Sequence, residues 1–283
     1  MSGASKAGGN GSMFKTELGQ RLVSGVALAA IALGALWWGI WPFGLLVALV
    51  AGVASWEWGR IIRAIDFDAF FPLHTGIVVL STLASAAGYA VPASVALAVG
   101  AIVMVILRLG ARDVLTGLGV LAIGFPAVGL AHLRADPGLG FEAVLFVFAV
   151  VWMTDIGGYV FGRSIGGPRL WPRLSPGKTW AGAIGGLALA GTTGAVASVL
   201  FGNRDAVGII LVAVMLGLAA EIGDLAESAL KRRFGRKDAS ALIPGHGGVL
   251  DRVDGLLAAA IVAMLFAMLR HPMHPAAGLL LWP

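Results

Sequence analysis

Carboxylates crowd the last third of this 283-residue chain: Glu221, Asp224 and Glu227 close one apolar stretch, and Asp251 and Asp254 open the next. Between them runs SALKRRFGRKDASALIPGHGGVLDRVD, from Ser228 to Asp254, a polar segment broken by glycine. An acid beside hydrocarbon costs on the order of 3 kcal/mol at mid-membrane, so several together call for a cation or a water-filled cavity. Glu221, Asp224, Ser228 and Lys231 recur at intervals that place them on one helical stripe. Such a stripe serves a proton pathway, a polar contact between helices, or a cation site beneath an anionic substrate.

Two further groups bear on that choice. In GHGGVLDRVD, Gly245, Gly247 and Gly248 surround His246, a composition that lets a ligand approach main-chain N–H groups, while Asp251 and Asp254 fall on one face of a helix start. Acids there also complement a helix dipole, and a single histidine is more often a hydrogen-bonded structural residue than a ligand. The third group is WMTDIGGYVFGRSIGGPRLWPRLSPGKTWAGAIGG. Asp155 and Tyr159 share a helix face, and after a Pro/Gly-rich loop Ser175 or Thr179 can cap the next helix with Lys178 beside its positive end. A helix start with a lysine and hydroxyls is equally a ready anion site. Carboxylates at Asp224, Asp251 and Asp254 with basic groups at Lys231, Arg232 and Lys237 point jointly to a hard divalent cation and phosphate.

The elements that must position these groups are membrane helices. Hydrophobic residues make up 58% and charged residues 12%, with a mean hydropathy of +0.90, against roughly 25% charged in an ordinary soluble domain. The chain reads as an all-α, polytopic integral membrane protein. With about 20 apolar residues needed per crossing, about nine transmembrane helices fit, near 22–40, 43–62, 72–90, 93–109, 113–132, 140–162, 179–200, 206–230 and 252–270. The first two are so closely joined around Trp41-Pro42 that a re-entrant hairpin is an alternative. Residues 1–21 read as a disordered cytoplasmic tail, 22–133 as a scaffold of helices, 140–270 as the catalytic region and 271–283 as a short tail. There is no cysteine, which leaves oxygen ligands and histidine for metal chemistry.

Nine crossings put Lys6, Lys15, Arg21, Arg60, Arg63, Arg108, Arg112, Arg163, Arg169, Arg173, Lys178, Lys231, Arg232, Arg233, Arg236, Lys237 and Arg252 on one face, against only Arg134, Arg204 and Arg270 on the other. Basic residues of short loops collect in the cytoplasm, so the amino terminus and both long polar loops are expected there. The net charge of +5 then follows from topology and anionic headgroups and makes no case for nucleic acid. Trp37, Trp38, Trp41, Trp56 and Trp58 read as interfacial anchors.

In order and spacing, Ser228, Leu230, Lys231, Arg232, Lys237, Asp238, Ser240, Ile243, Pro244, His246, Gly247, Gly248, Asp251, Arg252 and Asp254 resemble the signature of the CDP-diacylglycerol synthases, or phosphatidate cytidylyltransferases. The resemblance extends through Asp155, Gly162-Arg163, Ser175-Pro176, Lys178-Thr179, Glu221, Gly223-Asp224-Leu225 and Glu227, covering the carboxyl-terminal half, while the amino-terminal half matches only as a row of helices. One departure stands out: Ala181 occupies a position where the family commonly has an acid.

The resemblance implies transfer of CMP from CTP to phosphatidic acid, giving CDP-diacylglycerol and pyrophosphate, with Mg2+ and an optional monovalent cation such as K+. It implies a homodimer in the cell membrane, a bacterial inner membrane, with the site facing the cytoplasm. On this reading Asp224, Asp251, Lys231 and His246 are catalytic, and Asp224, Asp251, Asp254 and Asp155 hold metal. Ser175, Lys178, Thr179, Ser228, Arg232, Lys237, Gly247, Gly248 and Arg252 contact phosphates or substrate. If Asp224 and Asp251 share one cation, their oxygens should lie roughly 4–5 Å apart. Rival readings are a CTP-dependent lipid-alcohol kinase, an ether-lipid cytidylyltransferase and, more remotely, an ion-coupled transporter, which would place broken helices in both halves.

Overall fold

The structure is a computed structural model that describes residues 9–111, 113–243 and 247–283, with side chains from Val23 onward except Ala111. Of the sequence-derived candidates, Lys6, Arg112, Pro244, Gly245 and His246 lie outside the described residues, as do the side chains of Lys15 and Arg21.

Among the described residues nine long helices follow one another: α1 (Gly9–Trp38), α2 (Ile40–Arg63), α3 (Phe71–Ala86), α4 (Ala90–Leu107), α5 (Leu115–Ala135), α6 (Gly140–Ser164), α7 (Trp180–Phe201), α8 (Ala206–Arg233) and α9 (Leu250–Arg270), with a short α10 (Pro275–Leu280) behind them. Seven of these are long and apolar enough to cross a membrane, and the apolar parts of α1 and α3 are shorter. The protein is therefore an all-α, multi-pass membrane protein. α1 begins at Gly9, well ahead of the expected start at residue 22, and the expected carboxyl-terminal tail carries α10, whose Leu279 and Leu280 are fully buried. Between α6 and α7 the Pro/Gly-rich loop is a small antiparallel hairpin, β1 (Arg169–Trp171) with β2 (Ser175–Thr179).

Charged ends sort the bundle. A recess of ≈ 710 Å³ lined by Arg63, Arg108 and Arg233 with Asp68 and Asp113 sets the ends of α2, α4 and α8 side by side. At the opposite end Arg134 donates to the Leu36 carbonyl, and Asn203 bonds to Leu280 and Trp282. This is the arrangement that antiparallel succession demands, and it gathers the polar segment, the hairpin and the basic helix ends together.

Two apolar clusters fill the interior. One joins α6–α10 through residues such as Val147, Val212, Leu216 and Ala263. The other joins α2–α5 through Ile61, Val78, Leu97 and Ile123 and also takes in Ala239 and Leu250, so the amino-terminal helices pack directly on the signature segment. Trp37, Trp38 and Trp41 are exposed, as interfacial anchors should be. Trp58 differs: its indole N–H donates to the Leu115 carbonyl at 2.9 Å, a bond to the start of α5 inside the protein.

Candidate active site

Close helix packing creates the first half of the site. A Cβ added at Gly157 of α6 would stand 2.7 Å from the Gly185 carbonyl of α7, and one at Gly182 of α7 would stand 2.6 Å from the Gly158 carbonyl. Only glycines let these backbones meet, and the contact brings the start of α7 against the face of α6 that carries Asp155. Thr179 caps α7, its hydroxyl oxygen accepting from the Gly182 amide at 3.1 Å. The preceding strand then points Lys178 into a cleft of ≈ 250 Å³, whose walls include Thr154, Asp155, Tyr159, Thr179, Glu221 and Asp224.

Within this cleft Lys178 Nζ lies 2.7 Å from Asp224 Oδ2, and both side chains keep partial access to solvent. The Ser228 hydroxyl donates to Asp224 Oδ1 at 3.4 Å. Asp155 and Glu221 are near enough to Lys178 and Asp224 to act on them electrostatically, and Glu221 Oε1 lies against Gly186 of α7. Arg252 reaches Asp155 in the same sense from α9, and Asp254 stands beside Asp224. The result is a lysine paired with Asp224 and flanked by Asp155 and Glu221, with Arg252 and Asp254 acting on these acids from α9.

The second half of the site is closed. Lys231 Nζ lies 2.5 Å from both Glu227 Oε2 and Asp251 Oδ1, and the three side chains are 12%, 5% and 4% exposed. Asp251 also accepts from the amides of Ala239 and Gly248, at 3.0 and 2.7 Å to Oδ2. Asp251 and Asp224 are thus held by different lysines, and Asp251 by two amides as well. The N–H of Gly248, expected to meet phosphate, donates to Asp251 here. Gly247 has a positive φ of 81°, and its carbonyl accepts from Ile243 at 2.8 Å.

Other candidates sit apart from the cleft walls. Arg232, in the last turn of α8, and Lys237, beyond its end, are exposed, and Ser175 is half-buried at the start of β2, opposite Trp171. Thr179 acts as the helix cap, the structural alternative raised by its position.

One site residue escaped sequence reasoning. Glu57 of α2, with 0% of its surface exposed, accepts from the Ser240 hydroxyl at 2.5 Å and from the amides of Val249 and Leu250 at 2.9 and 2.6 Å. The signal was present: an acid inside an apolar stretch demands a partner. Its position between Trp56 and Trp58 made the whole group look like an interfacial anchor.

Among the described residues no three Asp, Glu or His side chains converge into a ready-made metal site. Magnesium, however, is commonly held by one or two carboxylates with substrate phosphates and water completing its octahedron. The all-oxygen, carboxylate-rich wall formed by Asp155, Glu221 and Asp224 fits an ion completed in that way.

Comparison with known proteins identifies the family. The model of the cytidylyltransferase family matches residues 19–269. A phosphatidate cytidylyltransferase of Brucella melitensis is 40% identical over 93% of this chain and 98% of that protein. Proteins of the same name from Haemophilus influenzae and Staphylococcus saprophyticus are 45% and 38% identical over 46% and 49% of this chain, covering 47% and 54% of their own lengths.

Proposed function

The chain belongs to the cytidylyltransferase family, and from that premise we propose that it transfers CMP from CTP to phosphatidic acid, forming CDP-diacylglycerol and pyrophosphate in phospholipid synthesis. The observation that carries this reading is the 40% identity to a phosphatidate cytidylyltransferase over 93% of the chain. The Asp155–Lys178–Asp224 cleft is where we assign the reaction, because it alone among the described residues joins partly accessible acids to a lysine on the side of the bundle that carries the basic helix ends.

The transfer needs a phosphate oxygen of phosphatidate to attack the α-phosphorus of CTP while the bond from that phosphorus to the bridging oxygen of the β-phosphate breaks. Both reactants are anions, and a phosphate monoester is already nucleophilic at neutral pH, so the protein's task is to neutralise and align rather than to activate a side-chain nucleophile. Lys178 is tethered to Asp224 without being buried, which lets its ammonium turn toward an arriving triphosphate. Arg252, exposed at the start of α9, adds positive charge to the same rim, with Arg232, Lys237 and Ser175 as outlying contacts. Ser228 steadies the Asp224 carboxylate through its hydroxyl. Asp224 is the residue we assign to Mg2+, with Asp155, Asp254 or Glu221 as candidates for the second carboxylate; K+ is an additional candidate. When bound, the divalent ion supplies charge neutralisation and polarisation at the phosphoryl oxygens. Asp251 and Glu227 hold Lys231 in a fixed place behind this cleft. His246 belongs to the same signature, and we retain it as a phosphate-orienting residue.

The diacylglycerol chains stay in the bilayer while the phosphate sits at its surface, so a cleft at the helix ends admits lipid from the membrane and CTP from water. We assign this face to the cytoplasm of a bacterial inner membrane on the distribution of lysine and arginine, and we propose that the protein works as a homodimer.

CTP labelled at the α- or at the γ-phosphate tests the reaction, with the purified protein in phosphatidate-containing nanodiscs. The α-label should enter lipid with one pyrophosphate released per lipid formed, and the γ-label should not. Entry of the γ-label into an added lipid alcohol, with no pyrophosphate, would instead identify a kinase.

A further inference from the structure

Glu57 lies on α2, far from the signature in sequence, yet it is more completely enclosed by that segment than by its own neighbours. Its contact with Ser240 spans 183 residues and its contact with Leu250 spans 193. Oε1 accepts from Ser240 and Val249, and Oε2 accepts from Leu250. A Cβ at Gly248 would meet Glu57 Oε1 at 2.5 Å, so the glycine leaves just the room that this carboxylate fills. The apolar surroundings agree, because Ala239 and Leu250, on either side of these bonds, belong to the same buried cluster as Ile61 and Val128.

The consequence concerns charge as well as packing. The first amides of a helix, with its dipole, attract an anion. At the start of α9 that place is taken from within the protein: Gly248 donates to Asp251, and Val249 and Leu250 donate to Glu57. Those three amides are thereby occupied within the protein. Arg252 and Asp254, on the turn that follows these amides, reach the electrostatic surroundings of Asp155 and Asp224. α9 also meets α8 closely here, since a Cβ at Gly223 would lie 2.7 Å from the Asp254 carbonyl. A shift in the first turn of α9 would therefore move both side chains relative to the cleft.

We propose that Glu57 is a positioning residue for the transfer reaction: its buried carboxylate locks the first turn of α9 and Ser240 so that Arg252 and Asp254 keep their places against α8 near Asp155 and Asp224, joining the amino-terminal helices to the site. The proposal rests on the assignment of the cleft as the site of transfer. It gives the amino-terminal half a part in the chemistry beyond that of a membrane scaffold.

The full-length chain in nanodiscs, with Glu57→Gln and Glu57→Ala beside the wild type, provides the test. Glu57→Gln keeps the shape and one acceptor but removes the charge, and should raise KM for CTP roughly tenfold with kcat little altered, as the loss of hydrogen bonds to a charged acceptor would do. Glu57→Ala should raise it further. A residue needed only for folding would lower the amount of active protein and leave KM unchanged. Hydrogen exchange gives a readout independent of turnover: amides of residues 247–252 should exchange faster in Glu57→Gln, while those of residues 177–182 keep their wild-type rates. An unchanged KM for CTP in folded Glu57→Gln, or wild-type protection at residues 247–252, overturns the proposal. Should Glu57→Ala fail to fold, Glu57→Gln carries the test alone. A wild type that does not turn over CTP with phosphatidate would count against the transfer reading itself, and the exchange experiment would still decide whether Glu57 holds α9.

Discussion

The open cleft around Lys178 and the closed knot around Lys231 are built from the same materials and do opposite things. Each is a lysine among acids. In the cleft, Lys178 is 27% and Asp224 38% exposed, and Asp155 and Glu221 stand nearby with no lysine of their own. In the knot, Lys231 is matched to two carboxylates, Asp251 is further satisfied by two amides, and water is nearly excluded. The difference teaches that an excess of acid over base in a wetted cleft is suited to receive a cation and a polyphosphate. The buried ion pair leaves only Glu227 Oε1 without a partner and serves to hold α8, α9 and the Ala239 segment in register.

Removing divalent ions should separate the two regions most strongly. With EDTA, turnover should fall to background, a loss of about a thousandfold or more if metal supplies several kcal/mol of charge stabilisation. Thermal stability should hardly change, because no described group of residues encloses an ion. A large drop in Tm on chelation would mean that metal organises the fold.

The knot should answer in the opposite way. Lys231→Met leaves Glu227 and Asp251 buried and uncompensated, and should cost about 3–5 kcal/mol of stability, read as a lowered unfolding midpoint. The double change Lys231→Met with Asp251→Asn should cost less than the sum of the two single changes, which a double-mutant cycle measures. Additive losses would show that the pair is not coupled.

Lys178→Met touches only the cleft. It should lower kcat/KM for CTP about 10–100-fold, as removing a charged phosphate contact does, while the Tm stays near that of the wild type. Equal losses of activity and stability would erase the distinction between the two lysines.

The smallest effect belongs to the helix cap. Thr179→Ala should cost about 1 kcal/mol in stability, the usual value of an N-cap hydroxyl, with turnover reduced only mildly. A loss of activity comparable to that of Lys178→Met would show that the hydroxyl contacts substrate as well as the Gly182 amide.

Much of this was legible beforehand, for definite reasons. Apolar runs of the length needed to cross hydrocarbon located the long helices to within a few residues, apart from the start of α1, and seven of those described are long and apolar enough to span. Acids at helical spacing on α8, and Lys178 ahead of α7, located the cleft walls. Spacing along one helix could not reveal how α8 divides its acids, with Asp224 turned to Lys178 and Glu227 to Lys231, because that depends on what α7 and α9 bring from the other side. Nor could it show that Asp251 meets Lys231 and the amides of Ala239 and Gly248, since a carboxylate opening a helix looks identical whether it meets a cation or its own turn's amides. The hairpin was hidden because its Pro- and Gly-rich strands are only three and five residues long. Glu57 was the hardest to place, since its partners lie across most of the chain and no local pattern points to them.

Asp224 is the center on which the account turns. Magnesium-dependent turnover of the purified Asp224→Asn protein, in nanodiscs with CTP and phosphatidate, tests it directly. The cleft assignment predicts a protein with wild-type Tm and helical content whose turnover is lost across the whole magnesium titration. Full activity with an unaltered magnesium dependence would contradict it and would move the reaction away from the open cleft.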